Sequence, residues 1–231
     1  MEIRGRSQTG PYGPSSNLHP QPPPSNVPAV LVLLLVFICA ASARAQQPTA
    51  ADPAAVPIEQ EPRHHLVFTN DFVRVLDVLL PPLYVSQRHT HTYDNVSVTI
   101  LPGGDDARAQ ARIGFAGYSR GGYSHVITNP NTAPMRFIAV ELRGADRGVA
   151  FGEPAQDDHL PVLSNARVRI TRVKLSAGES LPEHQHANGY VSVIVLGGEG
   201  PGVWKWHPAG EAASPLSAGA QPLELVEVEG R

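Results

Sequence analysis

Cysteine is almost absent. The 231-residue chain has one, Cys39, inside an apolar run that reads as a removable export signal. What remains after that signal has no thiol, which excludes disulfides, a cysteine nucleophile, thiolate-bound zinc and iron–sulfur clusters. Val36 and Ile38 are too bulky for lipoprotein-type processing at Cys39. Basic blocks are absent as well. Without residues 1–45 the chain keeps 15 basic and 20 acidic side chains, a net charge of −5, with no basic cluster. That argues against nucleic acid as a partner. Long hydrophobic runs are also lacking: Ala29–Ala40 is 12 residues, against the roughly 20 that span a bilayer. No segment holds a helical period long enough to suggest a substantial helix.

The short apolar run is followed by Ala43-Arg44-Ala45, and Arg4 and Arg6 lie upstream. A small-x-small tripeptide after an apolar core is the pattern of a secretory signal, cleaved after Ala45. The expected location is therefore secreted or periplasmic, with no membrane attachment after cleavage. An uncleaved anchor is the competing reading. The Pro- and Ser-rich stretch before the run leaves open a translation start downstream of Met1. Residues 46–62 are Pro/Ala-rich and aperiodic, and read as a flexible linker.

Proline (23) and glycine (21) are plentiful, favouring short strands and many turns. β-Branched runs fall at Phe72–Leu80, Val96–Leu101, Arg136–Leu142, Arg167–Leu175, Val191–Leu196 and Leu223–Val228. They come in two sets. Leu66–Leu101 overlies Pro161–Leu196 at an offset of 95 with no gap and 12 identities in 36 positions, where chance gives about two or three, so internal duplication follows. The expected organisation is a first domain over 63–146 and a second over 147–231, each an antiparallel barrel.

A His-x-His pair lies at the centre of each copy: His89 and His91, then His184 and His186. On a strand, residues two apart share a face, so both rings of a pair can point into a barrel. Imidazole is the commonest protein ligand for metals. Alone, a His-x-His pair fits equally well as a surface pair or as a hydrogen-bonded core pair.

The spacing around the pairs resembles the cupin superfamily, whose motifs are G-x5-H-x-H-x3/4-E-x6-G and G-x5-P-x-G-x2-H-x3-N. Gly114, Gly122, His125 and Asn129 fit the second motif, with Arg120 in the proline position. His89, His91 and Gly103 fit the first, but Asn95 stands where the glutamate belongs and Leu83 where the opening glycine belongs. In the second copy Gly178, His184 and His186 are in register, Tyr190 replaces the glutamate, and Gly202, Pro208 and Gly210 lead to Ala213 in place of the histidine. Gly114, Gly122, Pro134 and Glu141 pair with Gly202, Gly210, Pro222 and Glu229 at an offset of 88. The chain is thus identified as similar to two-domain cupins (bicupins) with degenerate metal motifs. The implied fold is all-β: two tandem cupin-type barrels (double-stranded β-helix or jelly-roll) related by internal duplication.

By this resemblance the first barrel binds one divalent metal ion (Fe, Mn, Ni or Zn) through His89, His91 and His125, with Asn95 a weak ligand or orienting group. Asp94, one position off register, is an alternative carboxylate. The second barrel, with two histidines, is expected to be a degenerate site. Three neutral imidazoles leave the charge of the ion uncompensated, which favours an anionic ligand. The three-histidine set is similar to that of thiol dioxygenases in the superfamily, though nothing nearby specifies a thiol. The implied function is a metal-dependent oxygenase or isomerase/lyase acting on a small molecule, with Tyr93 or Tyr123 as acid/base or pocket residues. The alternative is a non-catalytic small-molecule-binding or structural cupin without metal, and homodimerisation is left open.

Other signals carry less. Gly117–Gly121 matches the G-x-S-x-G nucleophile elbow, which needs a following helix that this sequence lacks. His64 and His65, at the start of the first strand, read as exposed. His207, Trp204 and Trp206 read as packing residues. Asn95-Val96-Ser97 is formally a glycosylation acceptor, but its inward position speaks against modification.

Overall fold

The computed structural model describes residues 51–100, 112–118, 121–144, 149–151 and 159–231. These fall within one compact unit, Arg44–Arg231. The signal-like residues, Gly103, Ser119 and Arg120 lie outside the described residues. Among the described residues no helix is long and apolar enough to cross a membrane, and the only helical element is one 3-10 turn at Ile58–Gln60. The fold is all-β.

Two five-stranded antiparallel sheets carry the architecture. The first runs in the order His64–Thr69, Val73–Leu80, Met135–Leu142, Asp94–Ile100, Ile113–Ala116. The second runs His159–Ser164, Val168–Leu175, Leu223–Gly230, Tyr190–Leu196, Trp204–His207. Register is the same in both. Val73 faces Leu142 as Val168 faces Gly230, and Asn95 faces Glu141 as Tyr190 faces Glu229. The turn before each long strand is built alike. Asn70 Oδ1 accepts hydrogen bonds from the amides of Phe72 and Val73, and Asn165 Oδ1 accepts them from Arg167 and Val168. An asparagine side chain that mimics a backbone turn explains why this residue occurs in both copies.

Period-2 alternation sorts each strand between two faces. Val73, Val75, Val96, Val98, Ile138 and Val140 of the first sheet share one buried cluster with Val168, Ile170, Val191, Val193, Val226 and Val228 of the second. The sheets therefore pack on each other, and Phe68 and Phe72 meet Trp204 and Trp206 at the margin. The opposite faces line separate interiors, Leu76, Val78, Leu80 and Phe137 in one half and Val173, Leu175, Leu223 and Leu225 in the other.

Short strands close each interior. His89–His91 pairs with Tyr123–His125, and His184–Gln185 with Ala212–Ala213. One expectation fails here: residues 56–62 are not free linker. Val56–Pro57 pairs parallel to His89–Thr90, Ile58 is 1% exposed and Glu61 2%. Burial of the Ile58 side chain, directly after Pro57, draws the segment into the first interior.

Candidate metal centres

In the first half the paired short strands set His89 opposite His125. Ring centroids of His89 and His125 are 4.6 Å apart, those of His91 and His125 5.0 Å, and His91 Nε2 lies 3.1 Å from His125 Nε2. A fourth ring joins them. His64, expected to be exposed, is 4% exposed, and its centroid is 4.4 Å from that of His89. It opens the first strand facing the interior, while its neighbour His65 faces out. Ligating nitrogens of His64, His89 and His91 lie within 4.8 Å of one another.

Each of these three rings is held at Nδ1. Glu61 Oε2 is 2.6 Å from His64 Nδ1, the Gln87 carbonyl 2.9 Å from His89 Nδ1, and Glu141 Oε1 2.9 Å from His91 Nδ1. Holding Nδ1–H on an acceptor leaves the Nε2 lone pair for a metal, an arrangement typical of ligating histidines. Behind His91, Arg74 Nε donates to Glu141 at 2.7 Å, and Arg74 also bonds Glu59. Burial is the main cause that lowers the pKa of His89 to about 4 and of His125 to about 3, reinforced by the neighbouring imidazoles. Burial likewise outweighs Glu61 and lowers His64. These three rings are therefore neutral, the form a metal requires. Buried His89 Nε2 has no hydrogen-bond partner among the described residues, a state that costs about 1–3 kcal/mol per group and that a cation would relieve. The residues present fit a divalent metal.

A cavity of about 160 Å³ opens onto this cluster, lined by His64, His91, His125, Asn95, Ser97 and Tyr118 with Phe115, Ile127 and Phe137 as apolar walls. Asn95 Oδ1 is buried without a partner. Asp94 is elsewhere: on the opposite face of the strand, it accepts from the Tyr118 amide and pairs with Arg167 of the second half. Tyr93 lies under Arg74, 4.8 Å from its guanidinium carbon, and Tyr123 stacks on Tyr118 at 4.8 Å.

The second half overturns the expectation of a two-histidine remnant. His159, His184, His186 and Glu227 bring their ligating atoms within 4.8 Å of one another. Glu227 carboxylate oxygens lie 3.2 Å from His159 Nε2, 3.5 Å from His184 Nε2 and 3.4 Å from His186 Nε2. None of the three nitrogens is aligned for a hydrogen bond. Burial opposes the charge on His186, but Glu227 and Glu229 outweigh it and raise its pKa to about 9. Burial would raise Glu227, but the three histidines hold it well below the usual carboxylate range. Two carboxylates thus gather positive charge at this point.

The halves differ by a paired exchange. Register places Ala213 opposite His184, where His125 stands opposite His89. It also places Glu227 beside Ser192, where Ala139 stands beside Ser97. The first half has His125 with Ala139, the second Ala213 with Glu227. A second exchange fills space: Asn95 faces Ala116, but Tyr190 faces His207, with stacked rings 4.3 Å apart. Trp204 and Trp206, read as packing residues, are partly buried against the shared core.

No protein-family model matches the chain, and no curated protein does. Solved structures do. AerE from Microcystis aeruginosa is 16% identical with a TM-score of 0.56, covering 80% of this chain and 98% of its own. A single-residue mutant of salicylate 1,2-dioxygenase from Pseudoaminobacter salicylatoxidans, in complex with gentisate, is 12% identical with a TM-score of 0.51, covering 76% of each chain. At these identities the likeness concerns fold. This chain is an all-β protein that shares their fold and carries candidate His and His/Glu metal groups.

Proposed function

We propose that the chain is an exported two-domain cupin whose first domain, ending near residue 146, binds one divalent metal and acts on a small molecule as an oxygenase or isomerase/lyase. The observation that carries this reading is the cavity that meets the histidine cluster. At about 160 Å³ it is below the roughly 300–1,000 Å³ of drug-sized pockets, so the substrate is small. His89, His91 and His125, with His64, would hold the ion, and Asn95 stands at the cavity wall.

The ion, when bound, supplies a Lewis acid. Its neutral ligands leave it positively charged, so an anionic or oxygen-bearing group is favoured next to it. Asn95 Oδ1, buried and unpartnered, accepts a hydrogen bond from a substrate hydroxyl or amine. Burial, with Tyr123 and Glu141 nearby, raises the pKa of Tyr118, so its phenol keeps its proton and serves as a donor. Phe115, Ile127 and Phe137 shield the apolar body of the substrate and exclude water.

The test is the metal content of the mature protein, purified without a His tag, beside His125→Ala. Near-stoichiometric metal that falls by one equivalent in the variant is the expected result. No difference between the two proteins after supplying Fe, Mn, Ni and Zn overturns the reading.

A further inference from the structure

We propose that the second half holds its own metal ion, best fitted by Zn²⁺, in a closed site made by His159, His184, His186 and Glu227, where it locks the fold rather than meets substrate. The site uses residues separate from those of the first cluster and stands whether or not the first binds metal.

Four observations carry it. The residues are buried, at 5%, 9%, 5% and 3% exposure. Among the described residues the Nε2 atoms of His159, His184 and His186 have no aligned hydrogen-bond partner, although Glu227 oxygens lie close to all three, so a cation that displaces the His186 proton meets three buried imidazole nitrogens and a carboxylate. Glu227 Oε2 lies 3.2 Å from His159 Nε2 and 3.4 Å from His186 Nε2, close to the roughly 3.3 Å edge of a tetrahedron with metal–ligand bonds of about 2.0–2.1 Å. His184 Nε2 lies 3.5 Å from Oε1, and all four ligating groups fall within 4.8 Å of one another. The outer contacts orient the rings: His184 Nδ1 is 3.2 Å from the Pro182 carbonyl, and His186 Nδ1 is 3.3 Å from Glu229, which Arg169 holds at 2.6 Å.

Closure separates this site from the first. Structural zinc sites take four protein ligands, whereas catalytic sites keep a position open. Tyr190, 2% exposed, packs tilted against His186 with ring centroids 4.0 Å apart and fills the place that Asn95 leaves open in the first half. His207 backs it where the first half has Ala116. The exchange of His125 for Glu227 also supplies one negative charge, as suits an ion that takes no anionic substrate.

The test loads the full mature chain with Zn²⁺ and measures bound zinc and melting temperature for the wild type, Glu227→Gln and the double variant His89→Ala/His125→Ala. The double variant is expected to keep one equivalent. Glu227→Gln should lose one equivalent, melt at lower temperature and show a smaller rise on adding zinc. Zinc fully retained in Glu227→Gln, or fully lost in the double variant, overturns the proposal. Should Glu227→Gln fail to fold, the double variant alone decides through its stoichiometry. A wild type whose single equivalent disappears with His125→Ala but persists in Glu227→Gln also overturns this site while sparing the first. The reverse pattern sustains this site and removes the first.

Discussion

His91 Nδ1 and Glu141 Oε1 lie 2.9 Å apart across the first interior, and His186 and Glu229 repeat the contact at 3.3 Å. Arg74 and Arg169 stand behind the two glutamates. A carboxylate on Nδ1 fixes the ring and raises the basicity of Nε2. Glu141→Gln keeps the shape and loses the charge. Zinc affinity of the first centre should fall about 10–100-fold, measured by competition with a chelating dye, while that of the second is unchanged. Equal affinities in variant and wild type would show that Glu141 serves Arg74 alone.

Asn95 and Tyr190 hold equivalent register positions, one opening a cavity and the other filling it. Asn95→Tyr should therefore close the first cavity, since Ala116 opposite leaves room for a ring. Metal content is expected to stay at the wild-type level, while azide, a small anionic metal ligand, no longer perturbs the visible spectrum of the Co²⁺-loaded first centre. Loss of metal in the variant would instead make Asn95 a ligand.

Much of this was legible beforehand. Alternating β-branched runs mark the strands, and the 88-residue offset places Ala213 opposite His184 as the register does. Three candidate ligating residues escaped, for two different reasons. His64 and His159 are themselves 95 apart, two residues upstream of the ungapped block that begins at Leu66 and Pro161, so a longer block includes them. Beside His65, which does face solvent, a histidine at a strand's start looks like surface. Glu227 has no counterpart, because Ala139 holds its place. Its only signal is a glutamate on the inward face of an apolar strand, in line with Leu223 and Leu225, and carboxylates are seldom buried unless paired.

His207 stacks on Tyr190, and its Nε2 is 3.0 Å from Ser192 Oγ. Burial, then Lys205, lowers its pKa to about 4 against an opposing pull from Glu227. The folded state thus prefers the neutral ring, and the unfolded chain takes up the proton first. Stability from this group is lost as pH falls from about 6.5 to about 4, and no further below that. Urea unfolding at pH 7.5 and pH 5 should show a smaller pH-dependent loss for His207→Phe, which keeps the stack, than for the wild type. Identical losses would place the ring in water.

Ile138 is fully buried in the cluster shared by the two sheets, opposite Val98 and in the same core as Val75 and Val140. Because that core is continuous, the halves should melt together rather than in turn. Ile138→Ala removes packing from both sheets at once, with an expected cost of about 2–5 kcal/mol and a fall in Tm of the order of 10 °C. Calorimetry of the metal-free chain should show one transition moved down as a whole. Two transitions, with only the first displaced, would mean that the second half keeps its fold without the first, and that the shared valine layer packs two independently stable barrels.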